Sequence, residues 1–285
     1  MNYNVVAIYI SPTGNTEKAV RAVAKGISQK VSAGDFFAID LTPFELRKGV
    51  LEFGPEDIVI LGVPTYAGRV PNKLLPYITE AIYASGSIAI PVVTYGNRAF
   101  DDSLKELATI MYDNGMDIIG GCAVPGEHAF TDKLGGGRPN EKDLSGLEKY
   151  AAKLGEAINS ANDRKDLKFI NPDSLPGRSA EEFAYYVPKK EDGEPASFLK
   201  ALPITDASKC TGCGQCRAIC PMGCYRESTV EAVGTCIKCH GCIKACPVGA
   251  KRFDNEDLAS HIKMLEENYA DKNDEIYFCK RVQLF

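Results

Sequence analysis

Five short runs of this chain are apolar almost without a break: residues 4–10 (NVVAIYI), 36–40 (FFAID), 57–66 (DIVILGVPTY), 87–96 (SIAIPVVTYG) and 117–126 (DIIGGCAVPG). They do not alternate, so they predict strands buried on both faces, as in a parallel sheet covered by helices. Between and after them lie stretches of helical period. Val20, Val23, Ile27 and Val31 form one stripe; Leu104, Leu107, Ala108 and Met111 a second; Leu144, Leu147, Ala151, Leu154 and Ile158 a third. Each stripe reads as core packing. Strands alternating with helices predict an α/β domain over residues 1–162, a doubly wound sheet of five parallel strands.

Ligands of such sheets sit beyond the carboxyl ends of the strands. The first strand end is SPTGNT, residues 11–16, directly before a helix. Its hydroxyls, its glycine and the helix N-terminus suit an anion without adding positive charge. A well-capped turn explains the same residues. The loop is neither a Walker loop nor a G-x-G-x-x-G fingerprint. The third strand ends in PTYAGRVPN (64–72) and the fourth in TYGNRAFDD (94–102), each placing a glycine near an aromatic. That pairing offers close backbone approach and a stacking face to a planar ligand.

SPTGNT resembles the FMN phosphate loop of flavodoxins, Ser/Thr-x-Thr-Gly-x-Thr. The resemblance implies that Ser11, Thr13, Gly14, Asn15 and Thr16 hold the phosphate of FMN. It makes Pro64, Thr65, Tyr66 and Ala67 the first ring loop, and Thr94, Tyr95, Gly96, Asn97, Arg98, Ala99 and Phe100 the second. Tyr66 and Phe100 are the stacking candidates, since the chain has no Trp. Tyr95 reads equally as a turn or core residue. Arg69 and Arg98 read either as solvated loop charge or as neighbours of the flavin's polar edge.

Residues 163–202 are dense in Pro, Gly and charge and predict a linker, with the aromatic run FAYYVP packing on a domain. Beyond it the character changes. CTGCGQCRAICPMG (210–223) and CIKCHGCIKACPVG (236–249) align without gaps at an offset of 26. Each is C-x2-C-x2-C-x3-C-P, the bacterial ferredoxin run for a [4Fe–4S] cluster. Structural zinc, usually held by two short pairs of ligands, does not fit two tandem four-cysteine runs. Residues 203–255 thus resemble a small α+β two-cluster ferredoxin, and 256–285 add a C-terminal helix and tail. In that family the fourth cysteine of each run ligates the other cluster. The resemblance therefore implies two [4Fe–4S] clusters, one on Cys210, Cys213, Cys216 and Cys246, the other on Cys236, Cys239, Cys242 and Cys220. Cys224 is surplus and reads as packing beside a cluster or as a spare ligand. His240 aligns with Gly214, so no cluster requires it, and an exposed side chain is expected. His128 either borders the flavin or is a loop residue without a role there. His261 falls on a polar helix.

The chain has 285 residues, 25% of them charged, and a net charge of −5, which argues against nucleic acid as a partner. No run is long and apolar enough for a membrane span, and no signal peptide is evident. Nine of the eleven cysteines lie between Cys210 and Cys246. Such clustering points to metal ligands in a reducing cytoplasm. No catalytic set of Ser, His and Asp and no carboxylate pair stands out, so cofactors carry the chemistry. The expectation is a flavodoxin–ferredoxin fusion passing electrons between FMN and two clusters and on to or from a partner redox protein. The alternative is a flavin-dependent reductase of a small molecule fed by the clusters; a redox sensor with structural clusters is a third reading. The linker is long enough for flavin and clusters to meet within one chain or across a homodimer.

Overall fold

The computed structural model describes residues 3–32, 34–226, 230–272 and 274–279. In chain order its elements are β1 (Asn4–Tyr9), α1 (Asn15–Val31), β2 (Phe37–Asp40), β3 (Leu51–Phe53), β4 (Asp57–Pro64), α2 (Leu75–Ala81), β5 (Ile82–Ala84), β6 (Ser87–Tyr95), α3 (Ser103–Asp113), β7 (Met116–Ile118), β8 (Cys122–Pro125), α4 (Glu141–Ser160), β9 (Ile204–Thr205), α5 (Gln215–Ala218), α6 (Gly241–Lys244), β10 (Lys251–Arg252), α7 (Glu256–Tyr269) and β11 (Tyr277–Phe278).

The main sheet runs β2-β1-β4-β6-β8 with every neighbour parallel. Among these five, the first two strands are exchanged in space, which is the flavodoxin-like order of a doubly wound sheet. Its apolar runs are unbroken because both faces are covered. Val5, Ala7 and Tyr9 of β1 face a core shared with α1 and α4. Val6, Ile8 and Ile10 face a second core with α2 and α3. The helices α1 and α4 meet closely because glycines lie between them. A Cβ on Gly26 would run into the Glu148 carbonyl oxygen and stand 2.7 Å from Ala151 Cβ; one on Gly155 would stand 2.8 Å from Lys30 Cβ.

The fifth strand differs from the expectation. It breaks into β7 and β8, which pair with β6 on either side of Ile90 and Pro91. Pro91 has no N–H to give a ladder. Gly120 and Gly121 fill the gap because nothing larger fits: a Cβ on Gly120 would stand 2.6 Å from the Tyr150 hydroxyl. That hydroxyl accepts from Gly121 N at 3.0 Å. The chain end then returns to the sheet. β11 lies antiparallel against β8, and Cys279 N donates to Gly121 O at 2.9 Å. The ferredoxin-like segment thus leaves and re-enters the α/β half at two points, and β11 covers a sheet edge that would otherwise be open.

The linker is an ordered strap across the α/β half. Ile170 N donates to Ile118 O at 2.7 Å, and Tyr186 N to Ala67 O at 2.8 Å. Arg178 donates to Asp102 through its backbone N (2.9 Å) and its Nε (3.0 Å). Burial alone raises the Asp102 pKa, but the Arg178 hydrogen bonds outweigh it and hold the carboxyl below its usual value. Tyr185 bonds Val70 O at 2.9 Å, and the Arg69 guanidinium lies 4.6 Å from its ring centroid.

Gly26 sets a testable limit on the helix contact. Gly26→Val forces α1 and α4 apart and lowers stability by about 1–3 kcal/mol, the usual cost of overpacking a tight core. Urea unfolding followed by circular dichroism checks this; an unchanged midpoint would show that the helices are free to separate.

Candidate cofactor cavity and iron–sulfur site

The carboxyl ends of β1, β4, β6 and β8 open into a cavity of about 620 Å³, within the range of roughly 300–1,000 Å³ that buries a small ligand. The first loop builds one wall. Gly14 caps α1 at φ +87°, a left-handed conformation that glycine takes without strain. Ser11 Oγ accepts from Glu17 N at 2.9 Å, and Thr16 Oγ1 lies 2.7 Å from Thr94 Oγ1. Asn15 Nδ2 donates to Glu127 O at 2.9 Å. Pro12, Thr13, Asn15 and Thr16 line the cavity, so its wall here is uncharged and ends at a helix N-terminus.

The second loop is a tight turn. Tyr66 and Arg69 exchange backbone hydrogen bonds of 2.9 and 3.1 Å, with Ala67 and Gly68 at positive φ. Pro64, Thr65, Tyr66 and Ala67 all line the cavity, as do Thr94, Tyr95, Gly96, Arg98 and Ala99 of the third. Burial pushes the Tyr66 pKa well up, with Cys239 and Cys236 adding to the shift. Asn97 and Phe100 lie elsewhere. Asn97, at φ +63°, donates to Tyr269 O and Lys272 O at 2.8 Å each. Phe100 packs between Tyr95 and Tyr277, 5.6 Å from each ring centroid. Of the two stacking candidates, Tyr66 lines the cavity and Phe100 does not.

Sequence reasoning missed several lining residues. Tyr186, Phe198 and Leu199 of the linker, His261 and Leu265 of α7, and residues 235–238 all border the cavity. Only the FAYYVP run had signalled such packing. Arg98 is stacked 4.2 Å from the Tyr186 ring and paired with Asp101, so it is neither solvated nor loose.

The three histidines gather around Phe130, at ring distances of 4.9 Å (His128), 4.5 Å (His240) and 6.5 Å (His261). The expectation for His240 is corrected: it is buried, stacked 4.9 Å from Phe253, and its Nε2 has no partner among the described residues. His128 also lines the cavity and accepts from Phe130 N at 3.1 Å. Burial lowers the pKa of His128 to about 3 and of His240 to about 4, and lowers that of His261.

The cysteines form two groups. One pocket is lined by Cys210, Cys213, Cys216 and Cys246. A second is lined by Cys220, Cys236, Cys239 and Cys242, with Cys224 among them. The sequence repeat is also a backbone repeat. Gly212 and Gly214 have positive φ, and so do Lys238 and His240, their counterparts 26 residues on. Cys224 Sγ lies 3.3 Å from Cys220 Sγ. Hydrogen bonds with Cys224 lower the pKa of Cys220 to about 6 and of Cys236 to about 7 and raise that of Cys224. No three Cys, His, Asp or Glu among the described residues converge on a point that holds a single metal ion.

Residues 202–247 match the family model of the 4Fe-4S dicluster domain. No curated protein matches the chain. Among solved structures it is similar to a flavodoxin from the domain Archaea (17% identity, 54% of this chain and 98% of that one, TM-score 0.40). It is also similar to oxidised Flavodoxin 2 from Bacillus cereus (15% identity, 54% and 98%, TM-score 0.40). A third is rubredoxin oxygen:oxidoreductase from the anaerobe Desulfovibrio gigas (17% identity, 55% and 36%, TM-score 0.38). The chain joins an α/β domain with the flavodoxin-like strand order to a 4Fe–4S dicluster domain. No helix among the described residues is long and apolar enough to cross a membrane.

The histidine environment makes a prediction. A His ordinarily titrates near pH 6.5; His128, lowered to about 3 by burial, stays neutral throughout the physiological range. The unfolded chain binds the proton first, so this group's stability is present above about pH 6.5 and lost as pH falls towards 3, at up to about 1.4 kcal/mol per pH unit. NMR of the imidazole rings should show no His128 titration between pH 5 and 8; a midpoint near 6.5 would place the ring in water.

Proposed function

We propose that the cavity binds FMN, that each cysteine group binds one [4Fe–4S] cluster, and that the chain passes electrons between them and a redox partner protein. The observation that carries this reading is that one cavity touches the strand-end loops at one side and Cys236 at the other. The residues fit the groups. Thr13, Asn15 and Thr16 at the N-terminus of α1 offer an anion donors and a favourable helix dipole without a fixed cation. The 64–67 and 94–99 segments supply flat backbone approach and the Tyr66 ring. Eight thiols in two sets of four suit the soft ligation of iron–sulfur clusters, and the nine cysteines from Cys210 to Cys246 are free thiols.

A flavin in this site supplies one- or two-electron chemistry, and each cluster one-electron chemistry. The chain's own residues do the rest. The linker side chains Tyr186 and Phe198 cover one side of the cavity. Tyr66 keeps its hydroxyl proton and remains a donor. The neutral histidines add no charge to the wall. Residues 1–162 with β11 serve as the flavin half, 163–202 as the strap, 203–255 as the cluster half, and α7 adds His261 and Leu265 to the cavity wall. Reduction of a small molecule in the same cavity is the second reading, favoured by the linker and α7 side chains that extend the walls beyond the three loops.

Anaerobic purification with iron, sulfide and flavin analysis tests the proposal. About eight irons and one FMN per chain are expected. About half that iron, bound zinc, or a chain that takes up no flavin overturns it in part or whole. Transfer from reduced clusters to flavin with no added small molecule supports the carrier; turnover only with a small-molecule acceptor supports the reductase.

A further inference from the structure

The two cysteine loops are near-copies in sequence, yet they stand in opposite surroundings. Thr211, Gly212 and Cys213 of the first are exposed; their counterparts Lys238 and Cys239 are buried, and Ile237 is half-buried. Cys236 and Ile237 line both the cavity and the second cysteine pocket. No residue that lines the first cysteine pocket also lines the cavity.

The contacts that seat the second loop on the α/β half and its strap are specific. Gly241 passes so near the first strand-end loop that a Cβ there would stand 2.8 Å from Pro12 O. Lys238 Nζ bonds Leu199 O, and Lys244 Nζ bonds the Glu127 carboxylate and His128 O. Phe44 N donates to Cys220 O at 3.2 Å. The backbone records the same specialisation. Lys238 and His240 hold the left-handed conformation that Gly212 and Gly214 take freely and that strains any residue with a Cβ. Their side chains make the strain worthwhile only where they reach across the junction, Lys238 to Leu199 and His240 to Phe130.

Resting on the reading of the cavity as the flavin site, we propose that the second cysteine set (Cys220, Cys236, Cys239, Cys242) is the flavin's immediate redox neighbour within one chain, and that the first set is where electrons enter or leave. Electron tunnelling falls steeply with distance, so a wall of Cys236 and Ile237 outweighs any longer route. In the reducing direction, two electrons leave the partner protein one at a time, cross the first set and then the second, and reduce the flavin, with its protons drawn from water. The partner is oxidised by two electrons and the flavin reduced by two; the opposite direction uses the same steps reversed.

The test compares Cys213→Ala and Cys239→Ala in the full chain, purified anaerobically and mixed with a reduced small ferredoxin while cluster and flavin absorbance and the cluster electron-paramagnetic signals are followed. With Cys239→Ala, the first cluster is still reduced by the donor but flavin reduction is lost. With Cys213→Ala, reduction of both the remaining cluster and the flavin by the donor is lost, while flavin content is unchanged. Flavin reduced at the wild-type rate in Cys239→Ala, or donor reduction unchanged in Cys213→Ala, overturns the route. Should either variant fail to assemble, ferricyanide with a chelator applied to the wild-type holoprotein gives the same answer. The first four or so irons lost abolish reduction by the donor and leave the flavin spectrum unchanged; a flavin spectrum that changes with those first irons overturns the route. Flavin content, measured first, separates the two claims: no bound flavin removes the cavity reading and the route together, whereas bound flavin reduced through the first set alone removes only the route.

Discussion

The rest of the molecule depends on the place where Gly241 meets Pro12. The two halves touch there backbone to backbone, with no room for a side chain on Gly241. One of these loops begins the helix that faces the cavity, and the other carries Cys239 and Cys242. A larger residue at 241 would lift the cysteine loop away from the strand ends. The neighbouring strain at Lys238 and His240 persists because both side chains are held across the junction. In the first loop nothing needs reaching, and glycine stands at both positions.

That junction is not left to a flexible tether. The strap enters with Arg178 clasped on Asp102 and Tyr186 bonded to Ala67. The chain then builds the cysteine segment, turns through α7, and returns as β11 to the edge of the sheet. Anchoring a segment at both ends limits how far it can swing, because opening must break contacts at two places. Leu258, His261 and Leu265 of α7 are buried, so that helix is a packed wall rather than the polar appendage its composition suggests.

How much of this was legible depended on whether the signal was local. The parallel sheet was legible because strands covered on both faces must be apolar throughout. The cysteine repeat was legible because its spacing repeats without a gap. The split of the fifth strand was not: it arises from Pro91, on another strand, standing opposite a Gly-Gly pair. His240 looked expendable by its alignment with Gly214, and that inference failed for a physical reason. Alignment reports what a cluster loop needs, whereas His240 serves the stack of Phe130 and Phe253. Phe100 had the right sequence position for stacking, but Tyr277, 177 residues further on, sits against it instead.

The surplus cysteine follows the same logic. Cys224 could not be placed from spacing, because its counterpart in the repeat is Ala250. In the fold it is buried and within hydrogen-bonding reach of Cys220 and Cys236, and it lowers the pKa of both. Both belong to the set beside the cavity. The first set has no such extra thiol; at the matching position Ala250 gives its backbone N–H to Cys246 Sγ at 3.2 Å. The two halves of a symmetric sequence repeat thereby become chemically unequal, through one buried thiol and two strained residues, all on the side that faces the α/β domain.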